Sequence, residues 1–520
     1  MNRDITEILD SPLTLPDDPA GGEGQAEKKQ VVTRFAPSPT GYMHIGNLRT
    51  ALYAYLIARS AGGKFILRIE DTDRERLVEG AEDVILETLK ATGLEYDEGP
   101  VIGGPSGPYV QSERKEKGIY RKYAEELIKR GHAYRCFCSE ERLESLREAN
   151  GIGGYDRHCR NIDPATADAR AAAGEPYVIR QKIPLDGETE YTDEVFGTIT
   201  MPNSEMQDQI LLKADGYPTY NFAHVIDDRL MGVTHVVRGS EYLTSTPKYV
   251  LLYDAFGWER PVYCHLPLLM GRDADGKISK LSKRHGAVSF QDLTRSGFLP
   301  EAIVNYIALL GWCPKNTNEE IFSLDELKKI FSTEAINKSP AVFDYEKLRW
   351  FNSRYIAAMP DGDYLARALP DVESSCPGCA APVKLAELLK TRLSSFGEIP
   401  AAVAFLREPA ELDAEGIAAL YTNKKNKTDP GVCLGILRGM IPVLAAYDGD
   451  WVSDPLFELM RGYAEKAGVK TGAVAWAVRA AVARQAVTPG GATELMEVLG
   501  RERSLERIGL AMSELEAQAV

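Results

Sequence analysis

The stretch from Val31 to Ile69 constrains the fold more than any other part of the chain. It opens with a β-rich run, Val31-Val32-Thr33-Arg34-Phe35. Ala36–Gly46 follows with prolines at 37 and 39 and glycines at 41 and 46, residues that break both regular periods, so it is a loop. Asn47–Ser60 is rich in Leu, Ala and Tyr without a breaker and stops at Gly62-Gly63, which predicts a helix. Lys64-Phe65-Ile66-Leu67-Arg68-Ile69 is then a second strand. Strand, glycine-bearing loop, helix and strand make the opening βαβ unit of a nucleotide-binding α/β fold.

With 520 residues the chain exceeds a single core, so several domains are expected. Residues 1–29 carry Pro12, Pro16, Pro19, many charges and no apolar period, which reads as a disordered leader. Shorter mixed elements run from about 110 to 223. Parallel-sheet character returns at Val233–Val237 and Val262–Leu269, with a helix Thr246–Phe256 between them. The simplest organisation is an α/β Rossmann-like domain interrupted by an inserted α+β domain. Beyond about 290 nearly every segment has a helical period, with a capping signal at Ser323 before Leu324-Asp325-Glu326. Residues 351–520 read as all-α, broken into two helical units at Ser374–Pro382 and Asn423–Pro430.

Composition limits the partners without choosing one. No run of 18 apolar residues is present and the N-terminus lacks an apolar signal core, so the expectation is a cytoplasmic protein with no membrane contact. Eight cysteines are too sparse for a disulfide scaffold. A net charge of −15 argues at first against nucleic acid. Binding follows local potential rather than the sum, and basic stretches occur at Arg121-Lys122, Lys129-Arg130, Lys277–Arg284 and Lys424–Lys427.

Two loops carry the chemistry. The first, Arg34–Asn47, joins a strand to a helix, where free backbone N–H groups and the dipole favour phosphate. His44 can donate to a phosphate oxygen there, and Gly46 permits close approach of a nucleoside. The second, Lys280-Leu281-Ser282-Lys283-Arg284, lies among glycines at 271 and 276. Its lysines can stabilise charge moving onto a leaving pyrophosphate. Alone, the first loop reads as holding a structural histidine and the second as ordinary surface; together, on both sides of a split α/β domain, they form a pattern.

That pair resembles the two signature motifs of class I aminoacyl-tRNA synthetases, and the flanking residues resemble the glutamate branch. Arg34-Phe35-Ala36-Pro37-Ser38-Pro39-Thr40-Gly41, Arg68-Ile69-Glu70-Asp71-Thr72-Asp73, Tyr109–Arg114 and Gly216–Ala223 with Val225-Ile226-Asp227-Asp228 carry the similarity, which runs from about Val31 to Trp350 and more diffusely beyond. One departure is Asn47, where the general motif has a second histidine. The resemblance implies a monomeric enzyme of the bacterial glutamyl-tRNA synthetase kind. Such an enzyme makes glutamyl-adenylate from L-glutamate and ATP with Mg2+, then transfers glutamate to the terminal adenosine of tRNA-Glu. By the same resemblance Arg34, Ala36, Ser38, Glu70, Tyr220 and Arg238 bind glutamate, and His224 matches a contact position at which the family varies. His44, Gly46, Asn47, Glu241 and Lys283 face ATP, with His44, Lys280 and Lys283 as the catalytic set. A buried guanidinium suits the side-chain carboxylate because its fork pairs both oxygens.

The implied domains are a catalytic first half at 30–110, an acceptor-end insertion at 111–223 and a catalytic second half at 224–289. A stem-contact domain at 290–350 and an anticodon-binding region at 351–520 complete the chain. Cys136-Phe137-Cys138 and Tyr155-Asp156-Arg157-His158-Cys159 supply three thiolates for a structural zinc. Tyr155, matching a Tyr-x-x-x-Cys pattern in relatives, or His158 would be the fourth ligand; a vestigial site is the alternative. Cys376-Pro377-Gly378-Cys379 has the spacing of half a site and reads as loop chemistry.

Other readings stay open at this point. An enzyme that also charges tRNA-Gln would share these residues. An inactive tRNA-binding paralogue would not need His44, Lys283, Arg34 and Arg238 intact. A small-molecule carboxylate-activating nucleotidyltransferase, or the glutamyl-queuosine tRNA synthetases, would not need the helical C-terminal third.

Overall fold

In a computed structural model, which describes residues 30–150, 155–273, 275–286, 288–315 and 317–518, the opening unit forms as its sequence pattern requires. Val32–Phe35 is β1, Ile45–Ser60 is α1 and Lys64–Leu67 is β2. β1 and β2 are parallel, with Val32 opposite Lys64 and Phe35 opposite Leu67. Helix α1 buries Leu48, Leu52, Leu56 and the alanines between them. It ends at Gly62 in the left-handed region, φ +63°, and Gly63 returns the chain to β1 so closely that a Cβ there would lie 2.1 Å from the Val31 carbonyl oxygen. The expected leader, residues 1–29, lies outside the described residues.

The inserted segment supplies α2 (Ile119–Lys129), β3 (Ala133–Cys136), β4 (Val178–Gln181), β5 (Glu188–Asp193), β6 (Gly197–Pro202) and β7 (Ile210–Leu212). α3 (Tyr220–Leu230), β8 (His235–Gly239), α4 (Thr246–Phe256) and β9 (Val262–Leu266) follow. β3, β4 and β7 form an antiparallel sheet with β4 in the middle. A second sheet has the order β6-β5-β9-β8, with β8 and β9 parallel. Thr234 splices this sheet to β1: its N–H donates to Val32 O at 2.9 Å, and its own carbonyl accepts from Val262 at 2.8 Å. From β1 the chain moves outward to β2, and from β8 it moves the other way to β9. The switch point between β1 and β8 opens a crevice beyond their carboxyl ends, the place where such sheets bind ligands.

Strand boundaries differ from the sequence expectation: β2 stops at Leu67 rather than Ile69, and two later strands also depart from it. β8 begins two residues later than Val233 because Gly232, φ +67°, and Val233 close the end of α3, with Val233 N–H donating to Asp228 O. The run Val262–Leu269 is two strands: Pro267 has no N–H to continue the ladder, and Leu269–Arg272 (β10) joins a different sheet with β11 (Ile278–Lys280) and β12 (Ala341–Val342). The insertion has one small buried cluster of its own, around Tyr134, Cys136 and Cys159, and shares its larger core. Tyr120, Tyr123 and Leu127 of α2 pack with Leu211, Leu212, Phe222, Tyr249 and Phe256, joining insertion and catalytic elements in one cluster.

Two compact units divide the chain, one with residues up to Leu293 and Ile303–Asp344, the other with Thr294–Ala302 and everything from Tyr345. The first includes the predicted capping box at Ser323, whose hydroxyl accepts from Glu326 N–H while the Glu326 carboxylate accepts from Ser323 N–H. The second is helical throughout its described residues. Its buried residues from Leu299 to Leu515 form one continuous core, so the breaks at 374–382 and 423–430 are turns within a unit rather than boundaries between two. The fold class is therefore the expected one: a mixed α/β region with inserted sheets, then an all-α region. No helix among the described residues is long and apolar enough to cross a membrane.

The close approach at Gly63 yields a stability test. Gly63→Ala should lower stability by about 2 kcal/mol or more, because its Cβ meets backbone that cannot move without disturbing β1. Gly509→Ala, in a helix with open space around the new methyl, should be neutral or gain up to about 1 kcal/mol. Thermal unfolding of the two variants checks both signs.

Candidate active site

The crevice at the switch point is a cleft of about 850 Å³. Arg34, Glu70, Tyr220 and Arg238 reach it from β1, the end of β2, α3 and β8. Ala36, Ser38, Gly46 and Asn47 line it from the first loop, and Glu241 and Lys280 from the second half of the domain. Two sequence candidates are placed differently. His224 lies behind Arg238, 1% exposed and outside the lining. The Lys283 side chain lies outside the described part of the structure, although its backbone opens a short 3-10 turn, Lys283–His285.

Arg68 organises the floor. Its position two residues before Glu70 puts both side chains on one face of the extended chain. Arg68 Nη2 donates to Glu70 Oε1 at 2.9 Å and Nη1 to Asp228 Oδ1 at 2.7 Å. Arg34 Nε donates to the same Asp228 oxygen at 3.0 Å, and its Nη1 donates to Val237 O. Burial pushes the Asp228 carboxyl up, but Arg34 and Arg68 together hold it well below the usual carboxylate range. Burial also pushes Glu70 up, and there it outweighs the pull of Arg68 and Arg34. Asp227, one residue away, accepts from Gln111 Nε2 at 2.8 Å, Arg114 Nε at 2.6 Å and Tyr120 OH at 3.0 Å. These bonds tie α3 to the start of the insertion.

Arg238 is built differently. It is 4% exposed, and among the described residues no carboxylate forms an ion pair with it. Its Nη2 donates to Thr246 Oγ1 at 2.8 Å and its Nε to His265 Nε2 at 3.0 Å; its Nη1 lies 3.5 Å from His224 Nε2. The rings of Tyr249, Tyr242 and Tyr263 stand 4.7, 5.2 and 5.8 Å from its guanidinium carbon. Tyr220 packs its ring against His224 and Tyr242, and burial keeps its hydroxyl protonated far into the alkaline range. A buried cation faced by neutral groups favours an anionic ligand.

On the other side of the cleft His44 caps α1. Its Nδ1 accepts from Gly46 N–H at 3.0 Å, so the neutral ring carries its proton on Nε2, free to donate. Burial, and then Lys280, hold its pKa below the ordinary value, which keeps the ring neutral. Gly46 leaves room for this bond, since a Cβ would sit a tight 3.2 Å from His44 Nδ1. Lys280 Nζ lies 3.4 Å from Glu241 Oε1 in an exposed pair.

Cys136, Cys138 and Cys159 place their sulfur atoms within 4.8 Å of one another, and the Tyr155 hydroxyl lies 3.2 Å from Cys136 Sγ. His158 is exposed and outside this group, so of the two fourth-ligand candidates the fold brings in Tyr155. Cys376 and Cys379 face one another across a tight turn closed by Cys379 N–H to Cys376 O at 3.1 Å, and no third ligand joins them among the described residues.

Sequence reasoning left out Arg68, Asp228, Thr246, His265 and Asp193 as site residues. Arg68 and Asp228 stood inside quoted motifs. The only local signal of His265 is a histidine in the middle of the apolar run Val262–Leu266.

Comparison with known proteins agrees with this geometry. Residues 30–350 match the family model described as tRNA synthetases class I (E and Q), catalytic domain, and residues 345–512 match an anticodon binding domain. A glutamate–tRNA ligase of Clostridium novyi is 52% identical over 491 residues, covering 94% of this chain and 98% of that protein. One from Lachnoclostridium phytofermentans is also 52% identical, over 494 residues, covering 94% and 99%. The crystal structure of a glutamate tRNA ligase from Elizabethkingia meningosepticum in complex with its amino acid superimposes with a TM-score of 0.82 at 34% identity, covering 94% of this chain and all of the other.

The buried histidine behind Arg238 has a consequence for acid stability. Burial first, then Arg238 and Arg34, lower the pKa of His224 from 6.5 to about 3. Between those values the unfolded chain binds a proton that the folded chain refuses, so this contribution is full above pH 6.5 and lost as pH falls toward 3. His224→Asn should therefore flatten the fall in the urea midpoint between about pH 7 and pH 4 without removing it, because His44, His235 and His265 are also depressed. An unchanged slope would show that His224 is not held neutral.

Proposed function

The chain belongs to the bacterial-type glutamyl-tRNA synthetases of class I, and on that premise we propose how its residues divide the work. It activates L-glutamate with ATP and transfers the glutamyl group to tRNA-Glu. The observation that carries the residue assignment is Arg238, a buried guanidinium with no carboxylate ion-paired to it among the described residues. Its unmet charge suits the side-chain carboxylate of glutamate, with Arg34 beside it. Glu70, held by Arg68, accepts from the substrate ammonium. Ser38 and the Tyr220 hydroxyl add hydrogen bonds, and Ala36 keeps the loop wall small. Glutamine would present N–H donors to guanidinium donors and leave buried charge unpaired, the kind of mismatch that gives discrimination of roughly 10⁴–10⁵-fold.

The α-carboxylate attacks the α-phosphate of ATP in line; the bond to the β-phosphate oxygen breaks and pyrophosphate leaves with the electron pair. A ribose hydroxyl of the terminal adenosine then attacks the acyl carbon and AMP departs. Neither step needs a protein nucleophile, so the protein supplies position and charge. His44 donates from Nε2 to a phosphate oxygen, and Lys280 and Lys283 meet the charge that develops on pyrophosphate. Gly46, Asn47 and Glu241 hold the nucleoside end. Mg2+, when bound, neutralises phosphate charge. Residues 111–223 are assigned to the acceptor end, 290–350 to the stem and 351–520 to the anticodon, in a monomer acting in the cytoplasm.

The cysteine cluster fits a structural zinc held by Cys136, Cys138, Cys159 and Tyr155, three thiols and a phenol oxygen converging on one point. Zinc there would clamp β3 to the loop at 155–159. Elemental analysis should find about one zinc per chain, reduced in Cys138→Ser together with the thermal midpoint. A metal-free chain of full stability would overturn the assignment.

Labelled-glutamate aminoacylation of purified tRNA-Glu and tRNA-Gln, with pyrophosphate exchange alongside, tests the functional reading. Charging of tRNA-Glu is expected; charging of tRNA-Gln as well would mark a non-discriminating enzyme, and charging of neither by folded protein would overturn the reading. Arg238→Ala should raise the KM for glutamate about 100-fold or more, as expected when one partner of a buried charge pair is lost. His44→Ala should lower kcat by about 10²–10³-fold with KM for glutamate little changed.

A further inference from the structure

Arg238 is oriented by a chain of groups that reaches away from the cleft. Its Nε donates to His265 Nε2 at 3.0 Å, and His265 Nδ1 lies 2.6 Å from Asp193 Oδ2. A guanidinium N–H can only donate, so His265 Nε2 is the lone-pair nitrogen and the imidazole proton sits on Nδ1, toward Asp193. Asp193 is fixed in turn. Its Oδ1 accepts from Val195 and Phe196 N–H at 3.0 and 2.9 Å, and its Oδ2 accepts from His265 N–H at 3.1 Å. Asp193 is 1% exposed, His265 0% and Arg238 4%, so water does not compete for these bonds. The backbone makes the alignment rigid: Asp193 ends β5 and pairs with Tyr263 of β9, while Arg238 of β8 stands opposite His265 of β9. A second imidazole, His224, stands between the same guanidinium and Asp228: its Nδ1 lies 3.7 Å from Asp228 Oδ2, and neither of those two atoms has a hydrogen-bond partner among the described residues.

We propose that Asp193 and His265 are a positioning pair that fixes the His265 tautomer and the plane of the Arg238 guanidinium, and thereby sets selectivity for the side-chain carboxylate of glutamate over the amide of glutamine. The inference rests on the reading that Arg238 holds that carboxylate. Its physical basis is separation. A carboxylate in direct contact, like those on Arg34 and Arg68, would satisfy the guanidinium and compete with the ligand. One imidazole further away, Asp193 still supplies a counter-charge that makes burial tolerable while the cationic face stays available. Thr246 Oγ1, which accepts from Arg238 Nη2 and donates to Tyr242 O at 2.8 Å, fixes the other edge of the fork.

Three substitutions separate positioning from mere packing. His265→Glu places a carboxylate directly against Arg238, and KM for glutamate should rise about 100-fold or more with KM for ATP within about 3-fold. The ratio of kcat/KM for glutamate over glutamine should fall as well. In His265→Gln the amide oxygen can accept from Arg238 while the amide N–H donates to Asp193, so KM should stay within about 5-fold of the unaltered enzyme. Asp193→Asn turns an N–H toward His265, driving the imidazole proton onto Nε2 against the Arg238 N–H; KM for glutamate should rise about 10-fold or more, again without ATP. Thermal unfolding accompanies each variant, and if His265→Glu does not fold, Asp193→Asn carries the same comparison. Equal KM values for glutamate in all three would overturn the proposal, as would a His265→Gln loss as large as that of His265→Glu. Arg238→Ala, measured beside them, tells the two readings apart. If it raises KM for ATP and not for glutamate, the assignment of Arg238 itself fails. If it raises KM for glutamate while the His265 and Asp193 variants do not, only the positioning pair fails.

Discussion

Two guanidiniums meet on one oxygen of Asp228, and the catalytic fold depends on that meeting. Arg34 comes from β1, Arg68 from just beyond β2 and Asp228 from α3, separated along the chain by the whole insertion. All three are buried, so each bond forms where water cannot substitute for it. Removing one partner of such a group costs about 3–5 kcal/mol, since the remaining charge is stranded. Asp227 repeats the arrangement with Arg114, Gln111 and Tyr120, fastening α3 to the segment that opens the insertion. The two halves of the sheet can thus be interrupted by more than a hundred residues and still close on the same cleft.

The buried charges of this floor balance. Arg34, Arg68 and Arg114 face Glu70, Asp227 and Asp228, three guanidiniums to three carboxylates. Among the described residues Arg238 has no carboxylate in direct contact, and neither does Arg49, which is held by the backbone carbonyls of Leu310 and Pro267. On the residue assignment proposed above, a bound glutamate would bring an ammonium for Glu70 and a side-chain carboxylate for Arg238. Its α-carboxylate would then be directed toward the His44 side of the cleft. Across that cleft the Lys280–Glu241 pair is exposed and contributes little to stability. On the role proposed above for Lys280, an incoming phosphate would take it from Glu241 at small cost.

How much of this was legible in the sequence depends on the range of the interaction. The opening βαβ unit, the helix Thr246–Phe256 and the Ser323 capping box are local patterns, and each formed where its residues placed it. The break of the last parallel strand at Pro267 was missed because apolar periodicity outweighed one imino acid. The single helical core from Leu299 to Leu515 was missed for another reason: turns at 374–382 and 423–430 look like linkers until distant helices are seen to share side chains. At the site, Arg34, Glu70, Tyr220 and Arg238 were placed by resemblance, and the fold brings them to one cleft. His265 and Asp193 could not be read, since their partners come from different strands and neither stands in a glycine-bearing or charged motif.

Arg238 must satisfy two opposed requirements. A guanidinium that is to recognise a carboxylate cannot already be paired with one, yet a cation with no counter-charge is too costly to bury. Lysine would shed its proton to escape the cost, whereas arginine cannot. The arrangement here meets both requirements by distance rather than by strength. The carboxylates of Asp193 and Asp228 each stand one neutral imidazole away, and tyrosine rings cover the face of the guanidinium. Burial keeps both imidazoles neutral, since each has its pKa lowered; a protonated ring in either place would add a second cation beside the first. The same burial that lowers those pKa values therefore preserves the anion preference of the cleft. A change that let either imidazole charge would be felt first as a loss of fixed geometry at Arg238, because its hydrogen-bond acceptor would have become a donor.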